Sequence, residues 1–218
     1  MSSLLDAAGA RATMVERQLR RRGIADERVL AAMSRVPREL FVPESLQDVA
    51  YEDGALPIGY GQTISQPFVV AAICELLELA GPERVLDVGT GSGYQAAVLS
   101  ELATDVVSVE RIPELAHGAR RALAAAGYER VKVLLGDGSL GALERAPFDA
   151  VAVAAAVPSV PPALYAQLVE GCRLVAPRGS LRGQDLVQVV RRPDRARERL
   201  SIPCRFVPLL GAEGFGHA

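Results

Sequence analysis

Short apolar runs alternate with helical repeats through most of the chain, and that alternation predicts the architecture before any single residue is weighed. Val85, Leu86 and Val88, then Asp105–Glu110, Val131–Leu135, Phe148–Val153 and Cys172–Pro177, read as strands buried on both faces. Between them, apolar positions recur at helical spacing over Tyr94–Leu102, Leu115–Ala126 and Leu164–Leu168. Such a β-α-β order predicts an α/β fold with a doubly wound sheet and right-handed crossovers. Upstream, Pro67 opens a helix carrying Val69, Val70, Ile73, Leu76 and Leu77. A helix over residues 12–22 ends at Gly23, and Asp26 is placed to cap another that carries Val29, Leu30 and Met33. Residues 1–50 are thus expected to form a helical N-terminal cover, with residues 1–10 loose. Leu186–Val190 and Leu200–Val207 read as antiparallel C-terminal strands around an arginine-rich connection. No repeat or composition break divides the chain, so residues 1–218 are expected to form a single domain.

The sharpest local signal is Glu83–Tyr94, where an apolar strand runs into Gly89, Gly91 and Gly93 and then into a helix. Glycines let a backbone approach a ligand closely, and a helix N-terminus offers free N–H groups. A dinucleotide fingerprint would need glycine at 94, where Tyr94 stands. The run Asp87-Val-Gly-Thr-Gly-Ser-Gly93 is instead similar to the pattern of S-adenosylmethionine-dependent methyltransferases. Glu110 closes the next strand about 20 residues beyond Gly89, the offset at which an acid receives ribose hydroxyls. Gly136-Asp-Gly138 follows the third strand, well placed to meet an adenine amine. Ala50–Pro67 is rich in glycine and proline just before this unit, and is expected to be a loop forming one wall of the pocket.

Composition narrows the chemistry. A net charge of −2 gives no reason to expect nucleic acid or an anionic membrane as partner. Arg20, Arg21 and Arg22 read as a solvated face. Cys74, Cys172 and Cys204 form no C-x-x-C and are expected to sit reduced in a core. No long apolar run precedes Arg11, so neither signal peptide nor membrane span is expected, and the cytoplasm is the expected location. With only His117 and His217, no metal site or histidine base is expected, and G-x-S-x-G, P-loop and H-E-x-x-H motifs are all missing. Scarce acid–base machinery suits transfer to an acceptor already ionised at neutral pH. A carboxylate, with a pKa of about 4, needs no base. The hydroxyls of Thr63 and Ser65 are candidates to hold it.

The run Leu56-Pro-Ile-Gly-Tyr-Gly-Gln-Thr-Ile-Ser-Gln-Pro67 closely resembles the signature loop of protein-L-isoaspartate O-methyltransferases. The likeness continues through Asp87–Tyr94, Gly136–Gly138, Ala146–Asp149, Pro161–Leu164 and Arg205–Pro208, and covers roughly residues 12–210. The resemblance implies a Rossmann-like class I methyltransferase fold and S-adenosyl-L-methionine as cofactor. It implies isoaspartyl-containing proteins and peptides as substrates, methylated on the free α-carboxylate so that the ester collapses to a succinimide and repair begins. Ser65 matches the family's active-site serine. Gln62, Thr63 and Ile64 match positions lining cofactor and acceptor, and Asp87, Gly89, Thr90, Gly91, Gly93, Glu110, Arg111, Asp137 and Gly138 are carried over as cofactor-binding residues. A monomer is expected, with no nucleic-acid or membrane partner. The chain departs from the family pattern at Ala154, Cys172 and Arg178, and Leu210 with residues 211–218 has no clear counterpart. Two rival readings remain: a specific aspartate as acceptor, and a module that holds the cofactor without turnover.

Overall fold

The computed structural model describes residues 2–216; Met1, His217 and Ala218 lie outside them. Helix α1 (Ser2–Met14) winds on through a π turn (Val15–Leu19) and a 3-10 turn (Arg20–Arg22) to Gly23, at φ 102°. Residues 2–10 are therefore helical, not loose. The stretch lacks an apolar stripe, but alanine has the highest intrinsic helix propensity, and Ala7 and Ala10 pack against the core. The three arginines that follow are solvent-facing: Arg20 pairs with Glu16 and Glu27, and Arg22 with Asp53 at 2.8 Å. Helix α2 (Glu27–Arg35) starts as expected at Asp26, whose carboxylate accepts from the Arg28 N–H at 2.8 Å and the Val29 N–H at 3.4 Å.

The glycine-rich stretch before α3 (Pro67–Leu77) contains a hairpin where only a loop is expected from the sequence. Strands β1 (Leu56–Gly59) and β2 (Gln62–Ile64) pair antiparallel, with Leu56 opposite Ile64 and Gly59 opposite Gln62. Gly59, Tyr60 and Gly61 turn the corner at φ 91°, 53° and 68°. Three- and four-residue strands flanked by glycine and proline carry too little alternation to be seen as strands.

The main sheet has seven strands: β3 (Arg84–Val88), β4 (Asp105–Glu110), β5 (Lys132–Leu135), β6 (Phe148–Val153), β7 (Leu168–Ser180), β8 (Gly183–Val190) and β9 (Arg197–Cys204), in spatial order 5-4-3-6-7-8-9. The first five run parallel, and β8 and β9 add antiparallel at one edge. Helices α4 (Tyr94–Leu102) and α5 (Pro113–Ala125) follow β3 and β4, while α6 (Pro162–Gln167) links β6 to β7. Val85, Val106, Ala150 and Ala152 face a core shared with α1 to α5. Leu86, Val88, Val107 and Val153 face the opposite core, which includes Leu164 of α6 and Leu209. Each parallel strand is thus apolar on both faces, as its continuous apolar run requires. The chain order reverses between β3 and β6, which opens a crevice beyond the carboxyl ends of those strands.

Cys74 is buried in the core, while Cys172 on β7 and Cys204 on β9 are half-buried and pack against the margins of the two cores; all three are free thiols. Among the described residues no helix is long and apolar enough to cross a membrane.

Loss of the α2 cap gives a direct test of this reading. Asp26→Ala should cost about 1 kcal/mol. In a chain of this size that lowers the thermal midpoint by roughly 2–4 °C, measurable by calorimetry. An unchanged midpoint would mean the cap carries no stability.

Candidate active site

Two connected compartments fill the crevice. The first lies between the hairpin and the strand ends, bounded by Gln62 and Thr63, by Gly89 and Gly91, by Val109–Ile112, and by Ala154, Ala155 and Val207–Leu210. The second, about 260 Å³, is lined by Thr63, Ser65 and Gln66, by Asp53–Ala55, and by Pro203–Val207 beyond β9. They share Thr63, Ala154 and Val207. A roomier groove of about 440 Å³ between Leu40–Pro43 and α5 touches the glycine turn only at Gly91 and Ser92, and its walls are mainly apolar.

Behind the glycine turn lies a buried polar chain. Asp87 has no exposed surface; its Oδ1 accepts from Gln95 Nε2 at 2.8 Å and its Oδ2 from Ser108 Oγ at 2.6 Å. Ser108 Oγ is also 2.6 Å from Thr90 Oγ1. A hydroxyl has one hydrogen, so if Ser108 donates to Asp87 it must accept from Thr90. Burial pushes the Asp87 carboxyl up to about 6, with Glu110 adding to the rise and the bonds from Ser108 and Gln95 opposing it. Asp87 and Thr90, both carried over as cofactor contacts, therefore face the core and brace the turn from behind. Ile64, at 3% exposure, likewise packs in the core, because β2 alternates and Thr63 takes the outward side.

Glu110 does reach the first compartment. Its Oε2 accepts from the Gly91 N–H at 2.9 Å, and its Oε1 from the Arg111 and Ile112 N–H groups at 2.9 and 3.0 Å. The carboxylate ties the glycine turn to the start of α5 and keeps acceptor capacity on Oε2. Arg111 and Gly138 line the same compartment, and Gly93, at φ 94°, caps α4 against Leu123. Gly138 is tightly fitted: a Cβ there would lie 2.8 Å from Val88 Cγ1.

Asp137 is more fully engaged than its flanking glycines suggest. Its Oδ1 accepts from the Ser139 N–H at 2.9 Å and hydroxyl at 2.7 Å, and its Oδ2 from the Ala212 N–H at 2.8 Å. Burial alone would raise its pKa, but these donors hold it below the usual carboxylate value. The C-terminal segment is thereby docked over this end of the site. A Cβ on Gly211 would fall 2.1 Å from Asp137 Oδ1, Ser139 Oγ accepts from the Glu213 N–H at 3.0 Å, and Glu213 in turn accepts from the Ala163 N–H at 2.8 Å. Leu210 lines the first compartment beside Leu209.

Thr63 is exposed and Ser65 half-buried, and among the described residues neither hydroxyl has a protein partner. Gln62 is half-buried, and its amide donates to the Tyr60 carbonyl at 3.3 Å. His117 is exposed on α5, and no cluster of three or more His, Cys, Asp or Glu among the described residues could hold a metal. Sequence reasoning missed Ser108 and Gln95, and gave no role to Val207–Leu210. A serine inside the valine run of β4 and a glutamine among the alanines of α4 were the available signals: polar groups at core positions seek partners.

A doubly wound sheet with a glycine turn after β3, an acid after β4 and a cavity at the switch point defines a nucleoside-binding α/β protein of the Rossmann-like group. Comparison with known proteins makes the assignment specific. Residues 10–214 match the family model described as protein-L-isoaspartate(D-aspartate) O-methyltransferase (PCMT). A protein-L-isoaspartate O-methyltransferase from Methanoculleus marisnigri is 55% identical over 208 residues, 94% of this chain and 93% of that one. A protein-L-isoaspartate O-methyltransferase 2 from Marinobacter nauticus is 56% identical over 212 residues, 96% of this chain and 97% of that one. A solved protein-L-isoaspartate O-methyltransferase superposes with a TM-score of 0.82 at 30% identity, over 93% of this chain; the chain spans 66% of that longer structure. A Plasmodium falciparum structure determined with S-adenosyl-L-homocysteine has the same fold, with a TM-score of 0.79 at 24% identity over 92% of this chain and 98% of that one. The chain belongs to the protein-L-isoaspartate(D-aspartate) O-methyltransferase family.

The buried Asp87 has a measurable signature. Its folded pKa of about 6 exceeds the ordinary 3.8, so folding takes up a proton between those values. Stability is therefore lost as pH rises through that window, by on the order of 3 kcal/mol. Asp87→Asn, which cannot ionise, should flatten this fall. Thermal midpoints measured from pH 4 to pH 7 should converge at the acid end and favour the variant by several degrees at the neutral end. Parallel curves would refute the buried ionisation.

Proposed function

We infer that the protein transfers a methyl group from S-adenosyl-L-methionine to the free α-carboxylate of L-isoaspartyl residues in damaged proteins and peptides, starting repair through a succinimide. The observation that carries this reading is the pair of compartments meeting at Thr63 and Ala154: a nucleoside-type cavity on one side, unpartnered hydroxyls on the other. The cavity chemistry fits the cofactor. Glu110 offers acceptor capacity to ribose hydroxyls, apolar Val109, Leu209 and Leu210 suit a base, and the glycine turn leaves room for the methionine end.

S-adenosylmethionine supplies an electrophilic methyl group on a good leaving group. The acceptor carboxylate is already ionised at neutral pH, so no base is required of the protein. What the chain contributes is alignment and exclusion of water. Ser65 is the residue assigned to orient the acceptor carboxylate, with Thr63 at the junction. Glu110 is assigned to the ribose, Asp137 and Gly138 to the adenine end, and Gly89, Gly91 and Gly93 to the methionine end. Asp87 and Thr90 act on that turn from the core side. Gln62 and Arg111 belong to the wall of the cofactor compartment, and Ile64 anchors the strand that presents Thr63 and Ser65. Ala154 adds no polar group to the junction. The protein is proposed to work as one domain, monomeric and cytoplasmic, on proteins and not on nucleic acid.

The direct test is transfer of a labelled methyl group to one peptide synthesised in Asp and L-isoAsp forms. Base-labile label on the isoAsp form alone is expected; label on the Asp form would assign a different acceptor, and no label on either would refute the activity. Ser65→Ala should slow transfer by about 10- to 100-fold, the worth of one hydrogen bond to a charged group, with cofactor affinity nearly unchanged. Glu110→Ala should weaken cofactor binding by a similar factor, read by calorimetry. Wild-type turnover by the first variant, or wild-type affinity in the second, removes that residue from the site.

A further inference from the structure

Arg38 stands outside the site, yet its guanidinium touches both the main chain of Ser65 and the helix that follows the glycine turn. The residue opens a 3-10 turn (Arg38–Phe41) between two prolines and has no exposed surface. Its Nε donates to the Ala50 carbonyl at 2.7 Å and its Nη2 to the Ser65 carbonyl at 2.8 Å. The guanidinium carbon lies 4.8 Å from the centroid of the Tyr94 ring, the first residue of α4 after the glycine turn. Phe41, at the end of the same turn, meets Tyr94 edge-on with ring centroids 5.7 Å apart. Among the described residues Arg38 has no carboxylate partner, and its Nη1 has no hydrogen-bond partner at all.

A buried cation without a counter-ion is costly, and an apolar side chain of similar volume would commonly serve packing as well or better. What arginine alone provides is a rigid fork with two parallel donors. Here the fork closes on the two ends of residues 50–65, the segment that holds the hairpin and presents Thr63 and Ser65. Gln18 holds this segment at the Tyr51 carbonyl at 2.7 Å, and Gln66, next to Ser65, bridges it to Asp53 at 2.8 Å from the solvent side. Arg38 holds both ends and stacks on the cofactor-side helix as well.

We propose that Arg38 is a positioning residue for methyl transfer: by gripping the Ser65 main chain from the core, it sets the direction of the Ser65 hydroxyl relative to the glycine turn. A lysine at this position reaches one carbonyl, not both, so the segment keeps its packing and loses its fixed register. The inference rests on Ser65 as the group that orients the acceptor.

A double-mutant cycle separates positioning from general stability. Ser65→Ala, Arg38→Lys and the double variant are assayed on an L-isoAsp peptide at saturating cofactor, with the folded fraction normalised by cofactor stoichiometry in calorimetry. Arg38→Lys should lower kcat about tenfold when Ser65 is present, since small misplacements at a reacting centre carry large rate effects. In the Ser65→Ala background it should cost at most about twofold, because there is no hydroxyl left to aim. Cofactor Kd should stay within about twofold of wild type throughout, as the pocket floor is untouched. Arg38→Gln, which keeps one donor without the charge, carries the same cycle if the lysine variant does not fold. Equal kcat losses in both backgrounds, or a parallel loss of cofactor affinity, would overturn the positioning role while leaving Ser65 in place. Wild-type turnover by Ser65→Ala alone would overturn the assignment of Ser65, and this inference with it.

Discussion

Parallel register across three strands is the constraint on which the site depends. Val88 of β3 stands level with Val109 of β4 and with Val153 of β6. The next residue of each strand is then Gly89, Glu110 or Ala154, so turn, acid and junction emerge side by side. A slip of one residue in β4 would exchange the side chains it presents to the two cores, turn Ser108 away from Asp87 and move Glu110 off the crevice. Packing in the two cores and this buried polar contact together fix the spacing of three functional positions. Backbone bonds finish the arrangement: the Gly89 N–H donates to the Val109 carbonyl at 2.9 Å, and the Ala154 N–H to the Val88 carbonyl at 2.8 Å.

Polar groups then solve a second problem, holding irregular backbone in place at the strand ends. Three carboxylates do this in different ways. Asp87 acts from within the core through Ser108 and Thr90, Glu110 binds the turn directly through Gly91, and Asp137 fastens a distant segment through Ala212. Arg38 performs the equivalent service for main-chain carbonyls on the acceptor side. Loops carry the chemistry, and a charged side chain bonded within the protein pins each of them.

The elements governed by hydrophobic period were legible in the sequence. Tyr94–Leu102, Asp105–Glu110 and Phe148–Val153 occupy the spans expected for them. The place of Glu110 at the crevice was legible as well, because its offset from the glycine turn is fixed by one helix and one strand. Besides the β1–β2 hairpin, three things were not. The alanine-rich start of α1 has propensity without amphipathicity, so pattern alone left it unassigned. Motif membership could not tell which side chains point outward: Ile64, Asp87 and Thr90 lie within the right runs and face the core. The docking of Leu209–Glu213 on Asp137 and Ser139 spans more than seventy residues of sequence and needs Gly211 and Gly214 to have no side chain. No local signal foretells such a contact.

The second compartment draws its wall almost entirely from two stretches, one before the glycine turn in sequence and one well after it. Apart from Val69 and Ala154, every residue lining it falls within 53–66 or 203–207, while the glycine turn and its acid lie between. The same two flanks also reach the first compartment, through Gln62 and Thr63 on one side and Val207–Leu210 on the other. Both cavities therefore share walls built from segments far apart in sequence, and a change in either flank would be felt on both sides of the junction at once.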